Sequence, residues 1–207
     1  MLNSQQEILL YYQEHKEKIH TQLNNFQNVP QNKYFYELCY CLCTPMSKAE
    51  NAQKVQLILE ESEYYYKDLE ISEILRNPDN YIRFHNQKAK HIENAKRNYS
   101  EILQLVILDK SNFEKRENLI KNVVGMGYKE ASHFLRNIGF FGLAILDRHI
   151  LRNLAKYNVI QEIPKTINSK KYIQLEQIFI NFANSIGLSL EELDLTLWAK
   201  ETGFVLK

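Results

Sequence analysis

The sequence predicts an all-α fold, on three observations. Apolar residues recur at helical spacing almost throughout, as at Ile8, Leu9, Tyr12, Ile19 and Leu23. No run of alternating apolar and polar residues bounded by turn residues interrupts them. The 207 residues include only six glycines and four prolines, too few for a strand-and-turn protein.

Helix boundaries follow from capping and breaking residues. Four S-x-x-E spacings, Ser4 with Glu7, Ser47 with Glu50, Ser111 with Glu114 and Ser189 with Glu192, have the form of a capping box, in which serine and glutamate satisfy each other's backbone amides. Breaks fall at Pro30, Thr44-Pro45, Asn77-Pro78, Gly125-Met126-Gly127, Gly139 through Gly142, Pro164 and Gly187. Helices are therefore expected over 4–25, 33–44, 48–62, 86–108, 114–123, 129–138, 148–157, 170–186 and 190–202. The expected organisation is two helical lobes, one from 1–60 with 151–207 and a central one from 61–150.

Charge and cysteine usage exclude several classes. Lysine and arginine number 26 against 25 acidic residues, a net charge of +1, so any nucleic-acid surface must be local. No apolar run approaches the roughly 18 residues a membrane span needs. The N-terminus carries too many acids for a signal peptide, which points to an intracellular, cytoplasmic protein. Cys39, Cys41 and Cys43 crowd into five residues without partners elsewhere. They read as buried helical thiols, with neither a disulfide framework nor ligands enough for a four-thiolate metal cluster.

The chemistry concentrates in LIKNVVGMGYKEASHFLRNIG, residues 119–139, where one helical pattern stops at Gly125-Met126-Gly127 and another begins at once. This is a helix-hairpin-helix pattern. Its two glycines allow backbone conformations costly for other residues and leave amides exposed at the start of the second helix, where they can hold a DNA phosphate. Lys129 sits at the mouth of that helix. A cation is misplaced at a positive helix end, which favours the free, nucleophilic amine. Eighteen positions on, Asp147 precedes another helical pattern, in Leu146-Asp147-Arg148-His149-Ile150-Leu151. Taken alone, Asp147 reads equally as an N-cap and Lys129 as a solvated first-turn lysine.

From Val123 to Ile150 these residues resemble the helix-hairpin-helix glycosylases of the endonuclease III superfamily, in which a catalytic lysine follows the hairpin's G-x-G and an aspartate in a D-x-H context follows at this spacing. Two further runs narrow the resemblance to the type-2 8-oxoguanine DNA glycosylase/AP lyase family. Glu37-Leu-Cys-Tyr-Cys-Leu-Cys-Thr-Pro-Met-Ser-Lys-Ala-Glu50 is similar to its E-L-x-x-x-I-L-T-P-Q-S-K-A element, and Arg83-Phe-His-Asn-Gln-Lys-Ala-Lys-His-Ile92 to its R-F-x-N-x-K-A-x-x-I element. The chain also stops at Lys207, soon after Trp198, as that family's does. Two departures stand out: the superfamily's four-cysteine iron–sulfur cluster is missing, and Met46 replaces a common glutamine.

The resemblance implies a two-lobed fold with the active site in the cleft between lobes, a monomer acting on double-stranded DNA containing 8-oxoguanine, and no cofactor or metal. It implies that Lys129 attacks C1′ and that Asp147 assists, which asks for a lysine pKa well below its ordinary value of about 10.4. Gly125, Gly127, Pro45, Met46, Arg148 and His149 are implied to contact DNA, with Met46 and its turn wedging into the base stack. Trp198, Phe84, His85, Ser47 and the C-terminal Lys207 are implied to contact the flipped base. A glycosylase/lyase for oxidised pyrimidines and a non-catalytic helix-hairpin-helix module remain the alternatives.

Overall fold

The computed structural model describes residues 4–205. Eleven α-helices run through them: α1 (Ser4–Gln27), α2 (Tyr34–Cys43), α3 (Ala49–Glu61), α4 (Ile71–Arg76), α5 (His85–Arg97), α6 (Tyr99–Ile107), α7 (Asn112–Asn122), α8 (Tyr128–Asn137), α9 (Arg148–Lys156), α10 (Ser169–Ser185) and α11 (Leu190–Thr202). No strand occurs among the described residues. None of their helices is long and apolar enough to cross a membrane. The helices fall into two compact units, one within Met1–Asn28 and Gly139–Lys207, the other Val29–Ile138.

In the unit Val29–Ile138, α2 is the hub. Nine of its ten residues, Phe35 through Cys43, are buried, because it packs against α3, α5 and α8 at once. The three cysteines lie here as buried thiols, and burial pushes Cys43 up to about 12. Glu37, also buried, accepts from Gln56 of α3 at 2.7 Å and from Asn137 of α8 at 3.1 Å, tying three helices through one carboxylate. Helices α7 and α8 form an antiparallel hairpin. Arg116, with no exposed surface, donates to Ser132 Oγ at 3.1 Å and lies against the rings of Phe113 and Tyr128.

In the other unit α1 packs along α11, which also contacts α9 and α10. Tyr11 donates to the Ala199 carbonyl at 3.0 Å, and Lys200 pairs with Glu7 at 2.5 Å. Glu192 accepts from Tyr12 and pairs with His20 at 2.8 Å while its other oxygen caps α11 at the Ser189 amide. Residues 139–147 form no helix, although Leu143 through Leu146 are buried. Their backbone is bonded by side chains instead: the Gly142 amide donates to Glu191 at 2.6 Å, the Ala144 amide to Glu176 at 2.8 Å, and Tyr172 both donates to the Ala144 carbonyl and accepts from the Leu146 amide.

Several expectations change. The helix expected over 86–108 is two, divided at Asn98, which leaves helical geometry with a φ of −104°. The six-residue α4 escapes periodicity because it spans under two turns before Asn77-Pro78 ends it. The capping boxes at Ser111 and Ser189 are formed, but Ser47 is no cap; Lys48 takes that position. Ser4's side chain lies outside those described. The division of the chain falls near 28 and 138 where the sequence suggested 60 and 150, because α2 and α3 pack with α5 and α8, and because 139–147 hangs on α10 and α11.

Burial alone would raise the Glu192 carboxyl, but hydrogen bonds from Tyr12, Ser189 and His20 outweigh it and pull it to about 2 from the ordinary 4.5. A depressed carboxyl stabilises the fold above its unfolded value and loses that contribution as pH falls toward its folded value. Glu192→Gln is therefore expected to melt lower than the wild type at pH 7, with the gap closing as pH drops from roughly 5 to 3, read from the single tryptophan, Trp198.

Candidate active site

The hairpin turn puts Lys129 in place. Gly125 has a φ of 86°, in the left-handed region, and a Cβ there would lie 2.1 Å from His91 Nδ1, so α5 closes directly over the turn. Gly127 is extended, at φ −103°, and is not held to glycine by its backbone angles. Its amide donates at 3.2 Å to Glu130 Oε2, while Glu130 Oε1 pairs with Lys129 Nζ at 3.2 Å. A carboxylate thus occupies the helix end where the sequence suggested a phosphate. The Lys129 side chain keeps 25% of its exposure.

The turn between α2 and α3 belongs to the same unit. Met46 stands at its apex with a φ of 55° and 65% of its surface exposed. Beneath it lies Lys88 of α5, only 5% exposed, which donates to the carbonyls of Cys43 and Pro45 and to Ser47 Oγ. Burial pulls Lys88 down to about 8, with Lys129 acting the same way and the Cys43 thiol and Glu130 opposing. Ser47 Oγ also accepts from the Arg83 amide at 3.0 Å. With both lone pairs so engaged, Ser47 has only its hydroxyl hydrogen to offer a further partner. Phe84, half-exposed with a φ of 60°, precedes α5 and lies under the Arg83 guanidinium. His85 meets Tyr81 edge to face, its Nδ1 buried without a hydrogen-bond partner.

Asp147 stands in the other unit, at the end of the buried 139–147 segment. It caps α9, Oδ1 accepting from the Ile150 amide at 2.8 Å, which leaves Oδ2 available. His149 packs edge to face on Trp198 of α11, centroids 5.1 Å apart, and its Nδ1 is 3.5 Å from Glu201. The Trp198 indole N–H is buried and makes no hydrogen bond among the described residues. Arg148 is exposed, and with Arg152 and Lys156 it forms a ridge at i, i+4 and i+8 on a helix that contains no acid. Lys207 lies outside the described residues.

Sequence reasoning missed several of these residues. Lys88 lies in a run of bases with Arg83, Lys90, Lys96 and Arg97, but it is buried, and Lys96 is tied to the Lys67 carbonyl, Asp68 and the face of Tyr64. His91, Glu130, Glu176 and Tyr172 carried no motif signal. The absence of acids from Arg148 through Lys156 was visible and marks the α9 ridge.

Glycines that turn one helix directly into another, with a half-buried lysine on its first turn, define a helix-hairpin-helix protein built around an amine. A family model described as 8-oxoguanine DNA glycosylase matches residues 16–188. The 8-oxoguanine DNA glycosylase/AP lyase of Fusobacterium nucleatum is 38% identical over 213 residues, covering 97% of this chain and 96% of its own. The crystal structure of the Methanocaldococcus jannaschii 8-oxoguanine glycosylase/lyase in complex with a 15mer DNA containing 8-oxoguanine superposes with a TM-score of 0.84 at 34% identity, over 97% of this chain and 100% of that one. That of the 8-oxoguanine DNA glycosylase of Thermotoga maritima gives 0.87 at 32% identity, over 98% of each. This chain belongs to the 8-oxoguanine DNA glycosylase family.

Two pairs of variants test the geometry through thermal melting. Gly125→Ala adds left-handed strain of about 1–2 kcal/mol to a clash with His91 and is expected to lower the melting point by at least about 4 °C. Gly127→Ala meets only the far end of Glu130, 3.1 Å away, and is expected to cost less. Asp147→Ala removes an N-cap worth about 1 kcal/mol, a fall of about 2–4 °C, whereas Asp147→Asn keeps the capping oxygen and the melting point. Equal melting of the Ala and Asn variants would contradict the capping geometry.

Proposed function

We propose that this chain excises 8-oxoguanine from duplex DNA and then cleaves the strand, as an N-glycosylase with AP lyase activity in base excision repair. The observation that carries the reading is Lys129: a lysine whose side chain is one-quarter exposed, on the first turn after the hairpin glycines, in a chain similar along nearly its whole length to a relative solved with 8-oxoguanine DNA.

The chemistry needs a damaged nucleotide drawn out of the stack, since the glycosidic bond is unreachable within a duplex. The Lys129 amine attacks C1′, the C1′–N9 bond breaks, and its electron pair and a proton leave with the base. The sugar ring opens as the nitrogen lone pair forms an iminium with C1′. Loss of a C2′ proton then drives β-elimination, breaking the C3′–O bond and expelling the 3′ phosphate. Asp147 Oδ2 is the group we assign to relieve the lysine of its proton and to stabilise positive charge on the sugar.

Trp198, with His149 against its edge, and His85 are the aromatic surfaces we assign to the extruded base. Phosphates are assigned to the hairpin around Gly125 and Gly127 and to Arg148, and the base stack to the turn of Pro45 and Met46. An enzyme acting on chromosomal DNA works beside it, and we place this one in the cytoplasm, with the nucleoid.

Borohydride added during turnover of a duplex with one 8-oxoguanine is expected to trap a covalent protein–DNA adduct, and Lys129→Gln to give none. Asp147→Asn is expected to bind the duplex within about threefold of wild type and to lose at least about 100-fold in single-turnover excision. An adduct of undiminished yield from Lys129→Gln would remove Lys129 as the nucleophile. Base release from thymine glycol alone would move the substrate to oxidised pyrimidines.

A further inference from the structure

Two lysines are buried to 5% exposure. Lys115 closes the end of α6 through the Val106 and Leu108 carbonyls, an ordinary helix-terminal use. Lys88 is different. Its three hydrogens go to the Cys43 carbonyl at 2.7 Å, the Pro45 carbonyl at 2.5 Å and Ser47 Oγ at 3.1 Å, all within one five-residue turn. None remains for a nucleic acid. An ammonium withdrawn from water is costly to keep, and this one is spent wholly on backbone shape.

That shape is unusual. Among the described residues only Met46, Glu63, Phe84 and Asn158 have positive φ without being glycine. Two of the four, Met46 and Phe84, are exposed apolar side chains, at 65% and 51%, and both flank the same clamp. Met46 sits between Pro45 and Ser47, which Lys88 grips. Phe84 follows Arg83, whose amide donates to the same Ser47 oxygen. Left-handed backbone is strained for a side-chain-bearing residue and persists only where its surroundings impose it. Large apolar groups held out into water in fixed directions are poor core and suitable probes. The cluster also neighbours the nucleophile, since the charges of Lys129 and Glu130 are felt at Lys88.

We propose that Lys88 and Ser47 form a buried clamp that fixes Met46 and Phe84 as two preformed apolar prongs for opening the base stack at the lesion. Lys88 is then a positioning residue: it touches neither substrate nor reacting atoms. The inference rests on the base-excision reading above and assigns the extrusion step within it.

Lys88→Met preserves the packed stem and deletes all three donors. With it, single-turnover excision of 8-oxoguanine from a duplex is expected to fall at least about 50-fold, while cleavage at a pre-formed abasic site, which has no base to extrude, stays within about threefold. A 2-aminopurine beside the lesion is expected to report slowed extrusion in step with excision. Lys88→Gln, which keeps a buried stem but too few donors for all three partners, is expected to act in the same direction by about 5- to 10-fold, and it carries the test should Lys88→Met fail to fold. Equal loss of excision and abasic cleavage, loss of cleavage alone, or no loss would each overturn the clamp. A wild type that neither excises nor cleaves would instead overturn the enzymatic reading.

Discussion

A backbone carbonyl or amide that leaves water must be bonded to something, and where helices cannot supply the partner this chain supplies a charged side chain. Lys88 serves the turn after α2, Lys115 the end of α6, and Glu176 and Glu191 the helix-free stretch that leads to Asp147. Two of these irregular, side-chain-bonded pieces carry candidate residues, each in its own unit: the turn after α2 holds Met46, and the helix-free stretch ends at Asp147. Glu37 does the same work between side chains, binding Gln56 and Asn137 so that α8, with Lys129 on its first turn, is fixed against α2 and α3. Removing one partner of such a bond leaves the other stranded in a low-dielectric interior, which costs more than the bond itself contributes.

The helices were legible because their signals are local. Apolar spacing and the capping serines at 111 and 189 need no knowledge of the rest of the molecule. The hairpin, Lys129 and Asp147 were legible for a similar reason, since glycine spacing and a helix-start aspartate are short-range patterns. What escaped was set by tertiary packing. Whether Lys88 is solvated or buried depends on where α2 ends relative to α5, and nothing in a charge-rich helix announces that one of its lysines points inward. Ser47 looked like a cap because its spacing to Glu50 is right; its oxygen was claimed by Lys88 and Arg83, from a segment 36 and more residues away. At Asp147 the cap reading is the one the geometry answers. Capping uses one carboxylate oxygen and leaves the other.

A near-neutral chain that handles a polyanion must place its few favourable charges well. The start of α8 offers partial positive charge from backbone alone, and α9 adds Arg148, Arg152 and Lys156 with no acid in the helix to cancel them. Most other exposed lysines in ion pairs, such as Lys33 with Glu60 and Lys67 with Glu63, are spent on the protein's own carboxylates.

Glu130 changes what contact with DNA means for such a protein. Because its carboxylate already holds the Gly127 amide and the Lys129 amine, a phosphate bound there as proposed would have to enter by exchange, one anion for another, with a small net gain unless the remainder of the duplex also fitted. An enzyme searching a chromosome meets undamaged sequence on the order of a million times or more for each target, and its speed depends on leaving those sites quickly. On that proposal, a resident anion at the hairpin would keep casual encounters short and reserve a long stay for the nucleotide that completes the site.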